Sequence, residues 1–331
     1  VYKRQEKWGE KMLQYTVKRV LKMIPTLLII SLLLFKVIDL APGNFLDTKV
    51  NPNMTVEKLE QLKEVYGFDK PFGERYVNWL KKAVKGDFDE SLKLRQPVSE
   101  IIKDYAWNSF VLAGTAFLLS ILIAIPLGIV CATKQYSFAD KATTILTFVS
   151  ISLPSFLLGL MLINAFSLKI KLFPIGGMTT AGSSLTGAAH YKDVLIHMVL
   201  PVVSLTILQA GSLIRYVRTA MLEVINQDYI RTARAKGLKE KVVIYKHALR
   251  NGLIPVITYI GMSLPGLFAG ALITETIFVW PGIGRIGYEA ILNRDYTLLM
   301  GFNMFMAVLT LMGNLLSDIL YAVVDPRIKL K

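Results

Sequence analysis

The stretch DYIRTARAKGLKEKVVIYKHALRNGLIP, residues 228–255, separates two very apolar segments and decides how the chain is read. It carries start and stop signals for a short helix. Asp228 is placed to N-cap it, Arg234 and Lys236 fall in its last turn where cations complement the helix dipole, and Gly237 stands where a left-handed cap residue is wanted. Tyr229, Ala233 and Lys236 share one face at i, i+4, i+7 spacing. A second helical pattern runs from Lys239 to Leu249, with Val242, Tyr245 (or Lys246) and Leu249 in register, before Gly252 and Pro255 open the next apolar run. A small capped helix held between two membrane spans suits the transmission of force from a partner.

Composition sets the class around this stretch. Apolar residues make up 53% of 331, too many for an ordinary soluble domain and enough for several spans. The net charge of +14 raises the question of nucleic acid, and its distribution answers it. Residues 1–22 hold seven Lys and Arg, 132–142 two, 215–250 nine and 325–331 three, while 41–105 balances eleven against eleven Asp and Glu. Excess positive charge at alternate ends of the spans is the positive-inside pattern, with no nucleic-acid stripe. The single cysteine, Cys131, has no internal disulfide partner, and its place near the cytoplasmic end of a span reads as a small buried thiol. His190, His197 and His247 are too scattered for a metal site.

The expected architecture is an all-α integral membrane protein with six transmembrane helices. Residues 1–17 form a cytoplasmic leader; residues 1–11 lack a Met and read as irregular, ahead of Met12 as the expected natural start. Residues 18–40 read as a retained first span rather than a signal peptide, since no small-x-small cleavage site lies near Leu40, and Lys36 and Asp39 are spaced to pair at its outer end. Residues 41–105 form an extracytoplasmic insert with two amphipathic helices, Met54–Tyr66 (capped by Thr55) and Phe72–Val84, the second broken by Gly86. A plain helical cap and a docking surface are equally good readings of that insert. Five further spans are expected at 106–132, 142–168, 194–217, 253–277 and 297–324, forming a core over 106–324. Both termini, the loop 218–252 and the tail 325–331 then face the cytoplasm, and the loops 169–193 and 278–296 face outward.

Pro126, Pro154, Pro201 and Pro265 interrupt these spans, and Gly159, Gly261, Gly266 and Gly270 permit close helix approach, a combination that favours a bundle able to rearrange. Ionisable groups at depth are few, as their cost of about 2.5–3.5 kcal/mol at the bilayer centre requires. Asp318, near Asn314 and Tyr321, reads as interhelical glue, and Glu275 reads as lying near the outer end of the fifth span in reach of water. Asn164, Gln209, Ser212, Glu275 and Asn303 are the candidates for a polar translocation path. No G-x-x-x-x-G-K-[ST], H-E-x-x-H or G-x-S-x-G occurs, which argues against an ATPase or another enzyme, and no cofactor is expected. The G-x-G-x-x-G match at 282–287 follows an apolar span instead of a strand, so it reads as a tight outer loop beginning at Trp280-Pro281, with Trp280 suited to the membrane interface.

With those residues in view, the sequence from Met12 onward resembles the permease subunits of bacterial dipeptide/oligopeptide ABC importers. YIRTARAKGL (229–238) followed by HALRNGLIPV (247–256) is similar to their cytoplasmic loop. Arg231, Thr232 and Ala233 stand at the Glu-Ala-Ala triplet of the general importer pattern, and Gly237 keeps its place. His247-Ala248-Leu249-Arg250 stands where Ile-x-Leu-Pro would be, a departure typical of the peptide branch. Leu40-Ala41-Pro42-Gly43, Phe173-Pro174-Ile175-Gly176-Gly177, Glu275-Thr276-Ile277-Phe278, Trp280-Pro281-Gly282, Asp318-Ile319-Leu320-Tyr321 and Asp325-Pro326-Arg327 match in order. Gly86-Asp87-Phe88-Asp89-Glu90-Ser91 departs from the family, which more often has a small or basic residue after the hydrophobic position.

The resemblance implies the type I ABC-importer permease fold in the bacterial plasma membrane. It implies a second homologous permease, two cytoplasmic ABC ATPase subunits and an extracytoplasmic substrate-binding protein as partners. It also makes Asp228, Tyr229, Ile230, Arg231, Thr232, Ala233, Arg234, Ala235, Lys236 and Gly237 the helix seated in an ATPase groove. Nickel chelates or oligosaccharides are alternative cargoes within this class. An ion-driven secondary transporter would need midplane acidic groups and often a repeat, and neither is found; an intramembrane enzyme would need a nucleophile and base at facing depths. Lipid attraction at ~1 kcal/mol per cation would hold the basic loop to the bilayer, yet it leaves the cap signals and Gly237 unexplained.

Overall fold

A computed structural model describes residues 2–41, 70–267 and 271–324, and among them the regular structure is helical, with one isolated bridge between Glu90 and Pro97. In chain order the helices are α1 (Tyr2–Leu40), α2 (Phe72–Ala83), α3 (Val98–Thr133), α4 (Phe138–Ser152), α5 (Ser155–Leu162, continued by π turns over Ile163–Lys169) and α6 (Gly187–Ile225). Next come α7 (Asp228–Ala235), α8 (Glu240–Val242), α9 (Leu249–Ser263), α10 (Leu272–Ile277), α11 (Ile283–Leu292) and α12 (Tyr296–Val324). The expected helix Met54–Tyr66, Gly270 and the tail 325–331 lie outside the described residues.

Four described helices are long and apolar enough to cross a membrane: α1, α3, α6 and α12. Two of the expected spans are not single rods. The third, 142–168, is α4 and α5 meeting at a 104° bend. Pro154 at that corner is the cause, because it cannot donate to the preceding turn and pushes Leu153 into extended geometry. The fifth, 253–277, is α9, a 3-10 turn over Leu264–Leu267 that includes Pro265, and the short α10. Pro126 and Pro201, by contrast, sit within unbroken helices. The leader is also not irregular, since α1 already runs from Tyr2.

The centre is the α3–α6 pair. Val217 packs over Gly128, where an added Cβ would stand 2.6 Å from its side chain, and Thr206 donates to the Ala116 carbonyl at 3.3 Å. Of the anticipated close-approach glycines, Gly159 meets Ile277 and Phe278, but Gly266 faces open space. The tight crossings are instead at Gly128, Gly211 against Ser150, and Gly252 against Met221. Small residues at such crossings let backbones approach where lipid supplies no hydrophobic drive between helices.

The first helix is peripheral: only 6% of its most apolar window is buried, against 56% for α6. Two polar clasps fix it. Arg19 pairs with Asp318 at 3.0 Å and the Tyr15 hydroxyl donates to the same carboxylate at 3.1 Å, so Asp318 does join helices. At the other end Asp39 pairs with Lys36 and Arg75, and Phe35 packs edge-on against Phe72 and Tyr76 of α2.

Candidate functional site

The candidate site is α7 and the floor beneath it. Ile230 and Ala233 are buried at 0% and 7% exposure, in one core with Val217, Ala220 and Met221 of α6, Ile129 and Ala132 of α3, and Val243, Ala248 and Val256. Eight residues cannot hold a helix by themselves in water, so this apolar seat is what fixes α7. Asp228, Arg231, Thr232 and Ala235, at i, i+3, i+4 and i+7, are exposed and form the outward face. That corrects the face expected from sequence, because Ala233 points inward and cannot join Tyr229 and Lys236 on a surface stripe. Tyr229 is instead tied sideways, its hydroxyl accepting from Asn251 Nδ2 at 2.9 Å.

The ends of α7 are partly as expected. Gly237 takes φ +75° and donates its N–H to the Arg234 carbonyl, the left-handed stop that a side chain would resist. The N-cap position is Gln227, and Asp228 is the first helical residue, where its charge faces the helix dipole and lies 3.6 Å from Arg231. Glu240 closes the turn after Gly237, accepting from Arg234 Nη2 at 2.8 Å and Nε at 3.2 Å. These two bonds hold the Glu240 carboxyl below its usual range and the Arg234 guanidinium above its own.

After Glu240 the expected regular helix does not form. Residues Val243–Ala248 make π turns, and Val243 and Ala248, five apart, are both fully buried, while Val242 and Tyr245 are exposed. A π turn adds a residue to the repeat and shifts the inward face, which an i, i+3 reading of the sequence misses.

Close to the seat lies an ion pair that sequence reading overlooked, its carboxylate buried and its guanidinium partly exposed. Asp140, 3% exposed in the first turn of α4, accepts from Arg218 Nε at 2.8 Å and Nη2 at 3.1 Å, and from the Tyr136 N–H at 2.9 Å. Arg218 immediately follows Val217, which belongs to the same buried core as Ile230.

At the opposite end of the bundle Glu275 is enclosed, with no exposure, and does not reach water as expected. It accepts from Ser109 Oγ at 2.6 Å and from the N–H groups of Ala271 and Arg285, both at 3.0 Å. Ser109 Oγ in turn accepts from the Ile283 N–H at 2.8 Å. The glycines of the loop that follows α10 now have reasons. A Cβ on Gly282 would strike the Glu275 carboxyl, one on Gly284 would stand 3.0 Å from it, and one on Gly287 would meet the Phe302 ring at 2.7 Å. Trp280 is fully buried rather than interfacial, its Nε1 donating to the Asn108 carbonyl at 3.1 Å. Phe173-Pro174-Ile175-Gly176-Gly177 docks on the same region: Gly177 at φ +91° donates to the Phe278 carbonyl at 2.8 Å, against which a Cβ on Gly176 would press.

Asp295, also unforeseen, caps α12 through the Leu298 N–H and accepts from Ser91 Oγ at 2.5 Å and from the N–H groups of Leu92 and Lys93. It thereby binds the segment after Gly86-Asp87-Phe88-Asp89-Glu90-Ser91 to the last span. Of the expected path residues, Gln209 and Ser212 are half-buried on α6, Asn303 is half-buried and donates to the Leu299 carbonyl, and Asn164 is exposed. The Oε1 of Gln209 and the hydroxyls of Ser204 and Thr147 are buried without a partner among the described residues. Among the described residues no group of His, Cys, Asp and Glu is disposed to hold a metal.

Comparison with known proteins places this architecture. The family described as the binding-protein-dependent transport system inner membrane component matches residues 124–330, and the N-terminal family of such membrane components matches residues 12–100. The oligopeptide transport system permease protein AppB of Bacillus subtilis (strain 168) is 40% identical over 319 residues, 96% of this chain and 100% of the relative. The dipeptide transport system permease protein DppB of Escherichia coli (strain K12) is 36% identical over 338 residues, 97% of this chain and all of that one. A chain of the MetNI methionine ABC transporter in an inward-facing conformation matches the fold with a TM-score of 0.53 at 17% identity, over 68% of this chain and 96% of that one. Fold, span pattern and near-complete matches agree, and the chain belongs to the multi-pass inner membrane components of binding-protein-dependent transport systems.

Proposed function

We propose that this chain is a transmembrane permease subunit of an ATP-driven peptide importer. It forms half of a translocation path beside a second homologous permease, and two cytoplasmic ATPase subunits supply the work. An extracytoplasmic binding protein delivers the cargo. The observation that carries this reading is the construction of α7. Its inner face packs on the Val243–Ala248 π turn and joins the core shared with α3 and α6 through Ile230 and Ala233, and its outer face, Asp228, Arg231, Thr232 and Ala235, is exposed to meet another protein. A lever needs both properties, and a loop held only by lipid charge needs neither. The names of the relatives, which concern dipeptides and oligopeptides, support the cargo class. In this reading both termini and α7 are cytoplasmic, the 41–105 insert faces outward, and Asn164, Gln209, Ser212 and Asn303 border the path. Glu275 holds the outer loop in place instead of meeting cargo.

Reconstitution tests the reading. Vesicles containing this permease, its second permease and the ATPases, given binding protein and ATP, accumulate a radiolabelled peptide, and vesicles with this chain alone do not. Uphill uptake by the isolated chain would refute the proposal. Uptake of a nickel chelate or an oligosaccharide in place of peptide would correct the cargo.

A further inference from the structure

We infer that the Asp140–Arg218 ion pair is a positioning device that makes α4 and α5 follow the movement of α7. The inference rests on the reading of residues 228–237 as the helix driven by the ATPases. Arg218 follows Val217 on α6, and Val217, Ala220 and Met221 share one buried core with Ile230 and with Val243 of the π turn, the element on which α7 packs and which itself rests on α6. Movement of α7 therefore carries this end of α6, and Arg218 with it. On the other side of the pair, Asp140 lies in the first turn of α4, N-capped by Ser137, and receives a third bond from Tyr136. Both Arg218 bonds come from one planar fork, which fixes direction as well as distance.

Beyond this joint α4 touches α6 again where Ser150 meets Gly211, and then turns at Pro154 into α5. Gly159 of α5 packs on Ile277 and Phe278, and Ile163 joins Phe278 and Leu200 in one buried cluster. Phe278 is three residues past Glu275 and two before Trp280, the residues that anchor the outer loop. The chain of packed groups thus runs from the inner lever to the outer loop, and the charged pair is its inner joint. Ion pairs with a buried carboxylate, such as this one, often add little net stability, because desolvation offsets attraction. A role in direction rather than in stability suits the pair better.

The test uses the complete complex in vesicles and reads peptide imported per ATP hydrolysed. Asp140→Asn and Arg218→Met keep ATP hydrolysis and lower that ratio about tenfold, the scale of a typical coupling between sites. Arg218→Lys, which keeps the charge and loses the fork, falls between, and the exchanged pair Asp140→Arg with Arg218→Asp recovers part of the ratio. If Asp140→Asn does not assemble, Arg218→Lys carries the comparison. An unchanged ratio, or uptake and hydrolysis declining in proportion, overturns the inference by leaving the pair a purely structural role. Gly237→Val is measured alongside. If Gly237→Val uncouples and Asp140→Asn does not, the pair inference alone fails; the reverse result removes α7 as the lever.

Discussion

Glu275 shows how much of the loop between α10 and α11 depends on one side chain. Three donors converge on its carboxylate, and Gly282 and Gly284 leave the room it occupies. Glu275→Ala strands those buried donors, each at a cost of about 1–3 kcal/mol, so the purified protein unfolds several degrees lower. Gly282→Ala, which forces a methyl into the carboxylate, costs about 1–3 kcal/mol in the same thermal assay. A melting temperature equal to the parent's in both variants would contradict the assignment. The sequence signals both residues, since Glu275 and the Trp280-Pro281-Gly282 run stand out in an apolar region. It does not signal their relation to Ser109, 166 positions earlier, and without that partner Glu275 reads as water-facing and Trp280 as interfacial. Asp140 and Arg218, 78 positions apart, escape notice for the same reason: each alone resembles an ordinary charge at a span's cytoplasmic end.

At the scale of elements, the short helix was legible because its stop is local chemistry. Gly237 at positive φ and basic residues in the last turn need no distant partner. Its face was not legible, because Ala233 is buried in a core built from distant parts of the chain, and the π turns at Val243–Ala248, on which α7 packs, shift the phase of the helix that continues into α9. The Arg234–Glu240 clasp makes the turn sensitive to acid. Since Glu240 has a lowered pKa when folded, its contribution is present above the usual carboxylate range of about 4.3 and is lost as pH falls through its folded value. Protection of the amides at residues 235–240, measured as exchange relative to the intrinsic rate, therefore falls as pH drops below the usual carboxylate range, and Glu240→Gln removes that acid step. The clasp is about half exposed, so the effect is confined to this turn. An acid step that persists in Glu240→Gln would assign the sensitivity elsewhere.

For the whole molecule, hydropathy located the apolar segments, because it acts along the chain, and the distribution of charge is the basis of the proposed orientation. The bend at Pro154 and the division of the fifth span came from packing, which decides whether a proline merely sits in a helix, as at Pro126, or turns it. The proposed orientation predicts that a cysteine replacing Lys239 reacts with an impermeant maleimide only from the cytoplasm, and one replacing Lys85 only from outside. Reaction of both from one side would break the topology.

The central claim is that α7 docks on an ATPase by its outward face, and site-directed cross-linking tests it most directly. Single cysteines replacing Arg231, Thr232 and Ala235 are expected to cross-link to the ATPase subunit in the assembled complex, and those replacing Ile230 and Ala233 are not. Cross-links from the inward positions, or none from the outward face in a complex that still hydrolyses ATP, would contradict the account.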